Sequence, residues 1–147
     1  MKNIYLSLYL FFSLPLVLFP QNIVINEVFY DPNGSDGGYE WIELYNAGNE
    51  AINMFGWKIQ KAGTEFENAY IFELLAPTIH PGEYLLIGEE FVPDADITAN
   101  LGFQNGGSCT DGIRLVSSDD LYFDTILYDE PNSNNLPDDL SEPGNFF

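Results

Sequence analysis

A chain of 147 residues has room for one domain and a leader, and at that length about two-thirds of the unfolded surface can be buried, so no staple is needed to fold it. The single cysteine, Cys109, excludes an internal disulfide and any multi-cysteine zinc site. With 23 Asp and Glu against 4 Lys and Arg the formal net charge is −19, which disfavours nucleic-acid binding, because that affinity comes largely from Lys and Arg displacing counterions from phosphates.

Residues 1–20 carry Lys2, no acidic residue, and an apolar run from Ile4 to Phe19 broken only by Ser7, Ser13 and Pro15. A basic start followed by a hydrophobic region slightly too short for an untilted bilayer span is the layout of a secretory signal peptide. The expectation is a secreted, periplasmic or cell-surface protein, with an uncleaved anchor as the alternative and the one route to a membrane. Leu-Phe-Pro-Gln before Asn22 lacks the small residues a signal peptidase prefers, so the cleavage position stays open. All the acidic residues follow this leader, opposed there only by Lys58, Lys61 and Arg114.

From Ile23 the branched and aromatic residues fall at the spacing of a half-buried strand. Ile23 and Ile25 share a face, then the parity changes so that Val28 and Tyr30 are the next candidates for it, which predicts a β-bulge near Asn26 or Glu27. Those two polar side chains are expected to satisfy backbone donors where the bulge breaks the ladder. The loop from Asp31 to Tyr39, DPNGSDGGY, is dense in turn formers. Oxygen donors at Asp31, Asn33, Asp36 and Glu40 suit a hard cation such as calcium, but the EF-hand pattern fails, with Asp36 at its glycine position and Ile42 at its glutamate position. The next strand points Ile42 and Leu44 inward and Glu43 and Tyr45 outward, with Trp41 over the sheet's other face. Glu40 and Glu43, an odd distance apart, cannot cooperate as acid and base.

Met54, Trp57 and Ile59 follow, and Trp57 after Gly56 is expected in a sandwich core. Residues from Ala62 to Asn68 read as a polar turn, Ala69 to Leu75 as a strand, and Pro77 to Gly82 as a corner. That corner holds His80, the sole histidine, from which neither a hydrolase triad nor a histidine-rich metal site is assembled without special help. Glu83 to Gly88 reads as a strand, Glu89 to Asn100 as an acidic irregular stretch, and Phe103 to Asp111 as a second glycine-rich loop. Cys109 within that loop lacks a neighbouring cation to lower its pKa. Ile113 and Leu115, then Leu121 to Tyr128, supply the last strands. After Asp129 the sequence is acidic and rich in proline and asparagine, without periodicity, and a loosely ordered tail is expected over 130–147.

Several stretches together carry a resemblance. Ile25-Asn26-Glu27-Val28, Tyr30-Asp31-Pro32 and Glu40-Trp41-Ile42-Glu43-Leu44-Tyr45-Asn46 are followed in order by Phe55-Gly56-Trp57-Lys58-Ile59, Pro81-Gly82-Glu83-Tyr84-Leu85 and Asp111-Gly112-Ile113-Arg114-Leu115. The region from Ile23 to Tyr128 resembles the lamin-tail domain, the immunoglobulin-like sandwich of nuclear lamins that also occurs in secreted bacterial proteins. About seven to nine short strands separated by turn chemistry point the same way, to an all-β antiparallel sandwich over residues 21–129 whose core includes Ile25, Val28, Ile42, Leu44, Trp57 and Ile59. The resemblance implies a non-catalytic interaction module that recognises a protein or cell-surface partner, without a cofactor. Exposed aromatics, Tyr39, Trp41 and Tyr45, are the candidate contacts. The alternative is a calcium-dependent surface or adhesion domain using Asp31, Asn33, Asp36 and Glu40, joined by Asp94 and Asp96. An enzyme would have to work with carboxylates alone.

Overall fold

The computed structural model describes residues 23–34, 37–121 and 123–138. The expected leader lies outside them. Ten strands and no helix occupy the described residues: β1 (Ile23–Phe29), β2 (Trp41–Asn46), β3 (Ile52–Asn53), β4 (Lys58–Ala62), β5 (Phe66–Ile71), β6 (Thr78–Ile79), β7 (Tyr84–Gly88), β8 (Ile97–Thr98), β9 (Asp111–Val116) and β10 (Phe123–Tyr128). Two four-stranded sheets, ordered β1-β2-β7-β8 and β10-β9-β4-β5, make the immunoglobulin-like sandwich, and β3 and β6 form a small separate ladder. Pairing is antiparallel except between β7 and β8, which run parallel.

The period of two along β2 sets the layers. Ile42, Leu44 and Asn46 are buried while Trp41, Glu43 and Tyr45 lie half-buried on the opposite face. Ile42 and Leu44 meet Ile59, Ile87, Ile113 and Leu115 between the sheets, with Trp57 and Phe72 closing the core and Ile25 and Val28 packed at its edge. Each fully buried Ile or Leu contributes roughly 1.5–3 kcal/mol over leaving it in water.

In the β1–β2 ladder Ile25 faces Leu44 and Glu27 faces Glu43, so Asn26 is the extra residue of the bulge. The role expected of Asn26 and Glu27 is corrected by the bonds themselves. The Asn26 side-chain amide donates to Glu43 Oε1 at 2.6 Å. The backbone N–H of Ile25 instead donates to Asp124 Oδ2, also at 2.6 Å, so a carboxylate on β10 ties the edge strand of one sheet to the edge strand of the other.

The returning strand of the β4–β5 hairpin begins earlier than its composition suggested. Phe66 already pairs with Ala62, and the turn is confined to residues 63–65. Glu67 and Asn68 face water on an edge strand, which gives a strand the polarity of a loop. That strand ends at Ile71, leaving Leu74 and Leu75 in solvent, with Leu75 at a φ of 81°.

Residues 130–138 do not lie loose. Leu136 is buried, the Asn134 amide donates to the carbonyls of Gly63 and Thr110, and Arg114 donates to the carbonyl of Pro137 at 2.6 Å. The reason is β9, every residue of which is buried. Ile113 and Leu115 face the core. The outward Arg114 lies with its guanidinium carbon 4.1 Å from the centroid of the Phe66 ring, and the tail segment shares the covering of that face. Residues 139–147 lie outside the described residues.

Candidate functional site

The outward face of the first sheet follows from its register. Phe29, Trp41 and Gly88 lie side by side across β1, β2 and β7; next come Glu27, Glu43 and Leu86; then Val24, Tyr45 and Tyr84. Aromatic rings therefore stand at both ends of the face and carboxylates in its middle.

At the Gly88 end two glycines let loops close on the sheet. A Cβ on Gly88 would sit 2.6 Å from Cβ of Val92, so only glycine allows the loop after β7 to fold back beside Trp41. Gly38 has a φ of +97°, and a Cβ there would meet the Phe91 ring at 2.4 Å. The ring lies on bare backbone, and the Phe91 N–H donates to the Gly38 carbonyl at 2.7 Å. Tyr39 and Phe91 pair at 5.2 Å between centroids, and Phe29 and Trp41 stack at 6.0 Å. These two pairs, with Pro32, Asn33, Val92 and Pro93, line an open groove of about 340 Å³. Phe29, Tyr39 and Phe91 remain 41%, 48% and 54% exposed, a contiguous apolar patch of the kind that marks an interaction surface.

Two buried carboxylates hold the walls. Glu89, 5% exposed, accepts from Gly38 N–H at 2.7 Å through Oε2, and from Leu101 and Gly102 N–H at 3.0 and 3.2 Å through Oε1. Glu40 accepts from Phe103 N–H at 2.7 Å, and its own carbonyl accepts from Glu89 N–H at 2.9 Å. A carboxylate is rarely buried unless its oxygens are satisfied, and here backbone amides from two loops do it, at Gly38 and at Leu101 to Phe103. The loops around 38, 89–93 and 101–103 are thereby fixed to one another, so the groove is shaped before anything enters it.

Tyr39 and Trp41 both line this groove. Tyr45 does not: it sits at the far end of the face, 4.7 Å from Tyr84 between centroids. Among the candidate calcium ligands, Asp31 and Asn33 are exposed, Asp36 lies outside the described residues, and Glu40 is turned inward to Phe103. Asp96 accepts from the Leu86 N–H at 2.8 Å. Among the described residues no three His, Cys, Asp or Glu side chains gather as a metal-holding group. Phe91, Val92 and Pro93, and the carboxylate of Glu89 behind them, escaped the sequence reading. Phe91-Val92-Pro93 is an apolar triplet inside an otherwise acidic stretch, which marks the segment but not where it lands on the sheet.

The marked electrostatic shifts lie elsewhere. Tyr30 and Tyr128 pack at 4.0 Å where β1 and β10 end, and the Tyr30 hydroxyl donates to Asp129 at 2.9 Å, which raises its pKa. Burial, with Asp111 and Asp129 nearby, holds the Tyr128 phenol far above the ordinary tyrosine value. These groups fasten the sandwich and do not line the groove.

Set against known families, the chain is similar to the lamin tail domain, whose family profile matches residues 20–138. No curated protein matches it.

Proposed function

The chain belongs to the lamin tail domain family, immunoglobulin-like domains of interaction type, and from that premise we propose that it is an exported, non-catalytic module that binds a protein or cell-surface partner through the aromatic groove. The observation that carries this is the ring set of Phe29, Tyr39 and Phe91, all exposed, with the half-buried Trp41, beside loops already locked by Glu40 and Glu89. Aromatic side chains give large contact area at low entropic cost, and rigid walls spare the cost of ordering them on binding. The two buried carboxylates use their oxygens on backbone N–H groups, which is positioning and leaves them poorly placed for acid–base chemistry. Export rests on the basic and apolar leader. The charge speaks against nucleic acid as the partner.

The test is retention of envelope or extracellular components of the producing cell on the immobilised full chain and on its Phe91→Ser variant. A component retained by the first and lost from the second supports the groove as the contact. Identical retention by both overturns it.

A further inference from the structure

We infer that the occupant of the groove is a basic segment of a partner protein, one that sets an apolar or proline side chain against Trp41 and Phe91 and places Lys or Arg side chains over the rings and beside the rim carboxylates. This deepens the reading above and rests on it. The argument is charge complementarity. After the leader the chain has three Lys and Arg residues, and all lie in the second sheet: Lys58 and Lys61 on β4 and Arg114 on β9. Each is engaged there. Lys58 pairs with Asp120 at 2.5 Å, Lys61 donates to the Gly102 carbonyl at 2.8 Å, and Arg114 donates to Pro137 and covers Phe66.

The first sheet and the groove loops contain no Lys or Arg at all. What they do contain is exposed acid next in sequence to the groove's lining residues: Asp31 precedes Pro32, Glu90 precedes Phe91, and Asp94 follows Pro93. On the sheet beside the Phe29 and Trp41 pair, Glu27 stands directly opposite Glu43, a like-charge pairing that costs stability and is relieved only in part by the Asn26 amide. Aromatic ring faces attract cations, and carboxylates beside them add to the pull. An anionic partner meets repulsion on every side. A neutral glycan gains the stacking but leaves the acids unanswered. A segment mixing cations with apolar side chains satisfies both halves of the site, and its long Lys or Arg stems pack on the rings while their heads reach the rim.

The experiment is a fluorescence-anisotropy titration of the full chain with three labelled probes: a short peptide alternating Lys or Arg with Pro and Leu, the same peptide with Glu in place of each cation, and a neutral oligosaccharide. The basic peptide is expected to bind and the other two are not. Raising ionic strength to about 1 M, where the screening length falls to ~3 Å, is expected to weaken it by about tenfold. Phe91→Ser and Trp41→Ala are each expected to lower affinity about tenfold or more, as central aromatic anchors do. The double change Glu90→Gln with Asp94→Asn removes charge without touching apolar surface and is expected to cost about fivefold with the melting temperature kept. Leu121→Ser, remote in the turn joining β9 to β10, is expected to change nothing.

If the oligosaccharide or the Glu peptide binds as well and Phe91→Ser abolishes it, the groove stands as a binding site and its cationic preference falls. If the basic peptide binds Phe91→Ser as tightly as the native chain, or does not bind the native chain, the inference falls as well.

Discussion

On the second sheet the outward side of β9 carries Gly112, Arg114 and Val116, and every residue of that strand is buried; on the first sheet the outward side of β2 carries Trp41, Glu43 and Tyr45, all three only half-covered. Both strands are central and paired antiparallel on each side, yet one face is roofed by its own chain and the other is left open. Phe66, the Arg114 guanidinium and the segment holding Leu136 and Pro137 make the roof. No equivalent segment among the described residues crosses the aromatic end of the first sheet, where Phe91 folds back only far enough to wall a groove. A roofed face contributes to stability, and an open apolar face costs solubility unless a partner uses it. Changes at the two faces should therefore separate stability from binding.

The largest expected effect falls where the open face borrows its rigidity from the interior. Glu89→Ala removes the acceptor of three backbone N–H groups in a buried setting. An unsatisfied buried donor costs about 1–3 kcal/mol, and with partial rescue by water a loss of about 3 kcal/mol in all is expected in urea unfolding. Binding should weaken with it, since Gly38 and the loop carrying Phe91 lose their common anchor. A loss below about 1 kcal/mol would show that the loops hold themselves.

Next in size is removal of the roof. Truncation after Glu130 deletes Leu136 and Pro137, and exposes the Arg114 and Phe66 surface. A loss of about 2 kcal/mol is expected from the apolar side chain alone, read from the unfolding midpoint. Groove binding, on the other sheet, should be unchanged at a temperature where the truncated chain is folded. Phe91→Ser makes the opposite trade: its ring is more than half exposed, so stability should move by less than about 1 kcal/mol while binding is lost. A Phe91 variant that unfolds the domain, or a truncation that abolishes binding, would erase the distinction between the faces.

Much of the roofed and buried architecture was legible from residue spacing. The alternation around Ile42 and Leu44, the parity change at Asn26, and Trp57 after a glycine are local patterns, because side chains alternate along a strand whatever the rest of the chain does. Trp41 could be placed on the outer face for the same reason, and Tyr39 stands two residues before it in the preceding loop. Phe91 could not, since its place depends on where an irregular loop lands, and that is decided by Gly38 and Gly88 in space. Glu40 looked like a calcium ligand because acids in a turn-rich loop do; its amide partner, Phe103, is 63 positions away. The tail looked loose because Leu136 is one apolar residue among polar neighbours, and nothing local reveals that β9 needs a cover. Long-range polar partners, more than apolar packing, are what spacing fails to show.

The smallest expected effect belongs to the turn joining β9 to β10 on the roofed sheet. The Ser117 hydroxyl donates to Asp119 Oδ1, and the Leu121 N–H donates to it as well, which lowers the Asp119 pKa below its unfolded value. A carboxyl with a depressed folded pKa stabilises the fold above its unfolded value of about 4, and that contribution is lost as pH falls through the folded value. Asp111 acts in the opposite sense: burial raises its pKa, so its ionisation costs stability above the raised value and the cost fades on acidification. The Asp119→Asn variant should therefore be slightly less stable than the native chain near neutral pH, by less than about 1 kcal/mol because the site is exposed to solvent, and the two should converge as pH drops below about 4. Asp111→Asn should diverge the other way, gaining on the native chain as pH rises. Chemical unfolding across that range reads both slopes. Parallel profiles for all three chains would mean that the acid response of the domain is set by the crowded carboxylates of the open face.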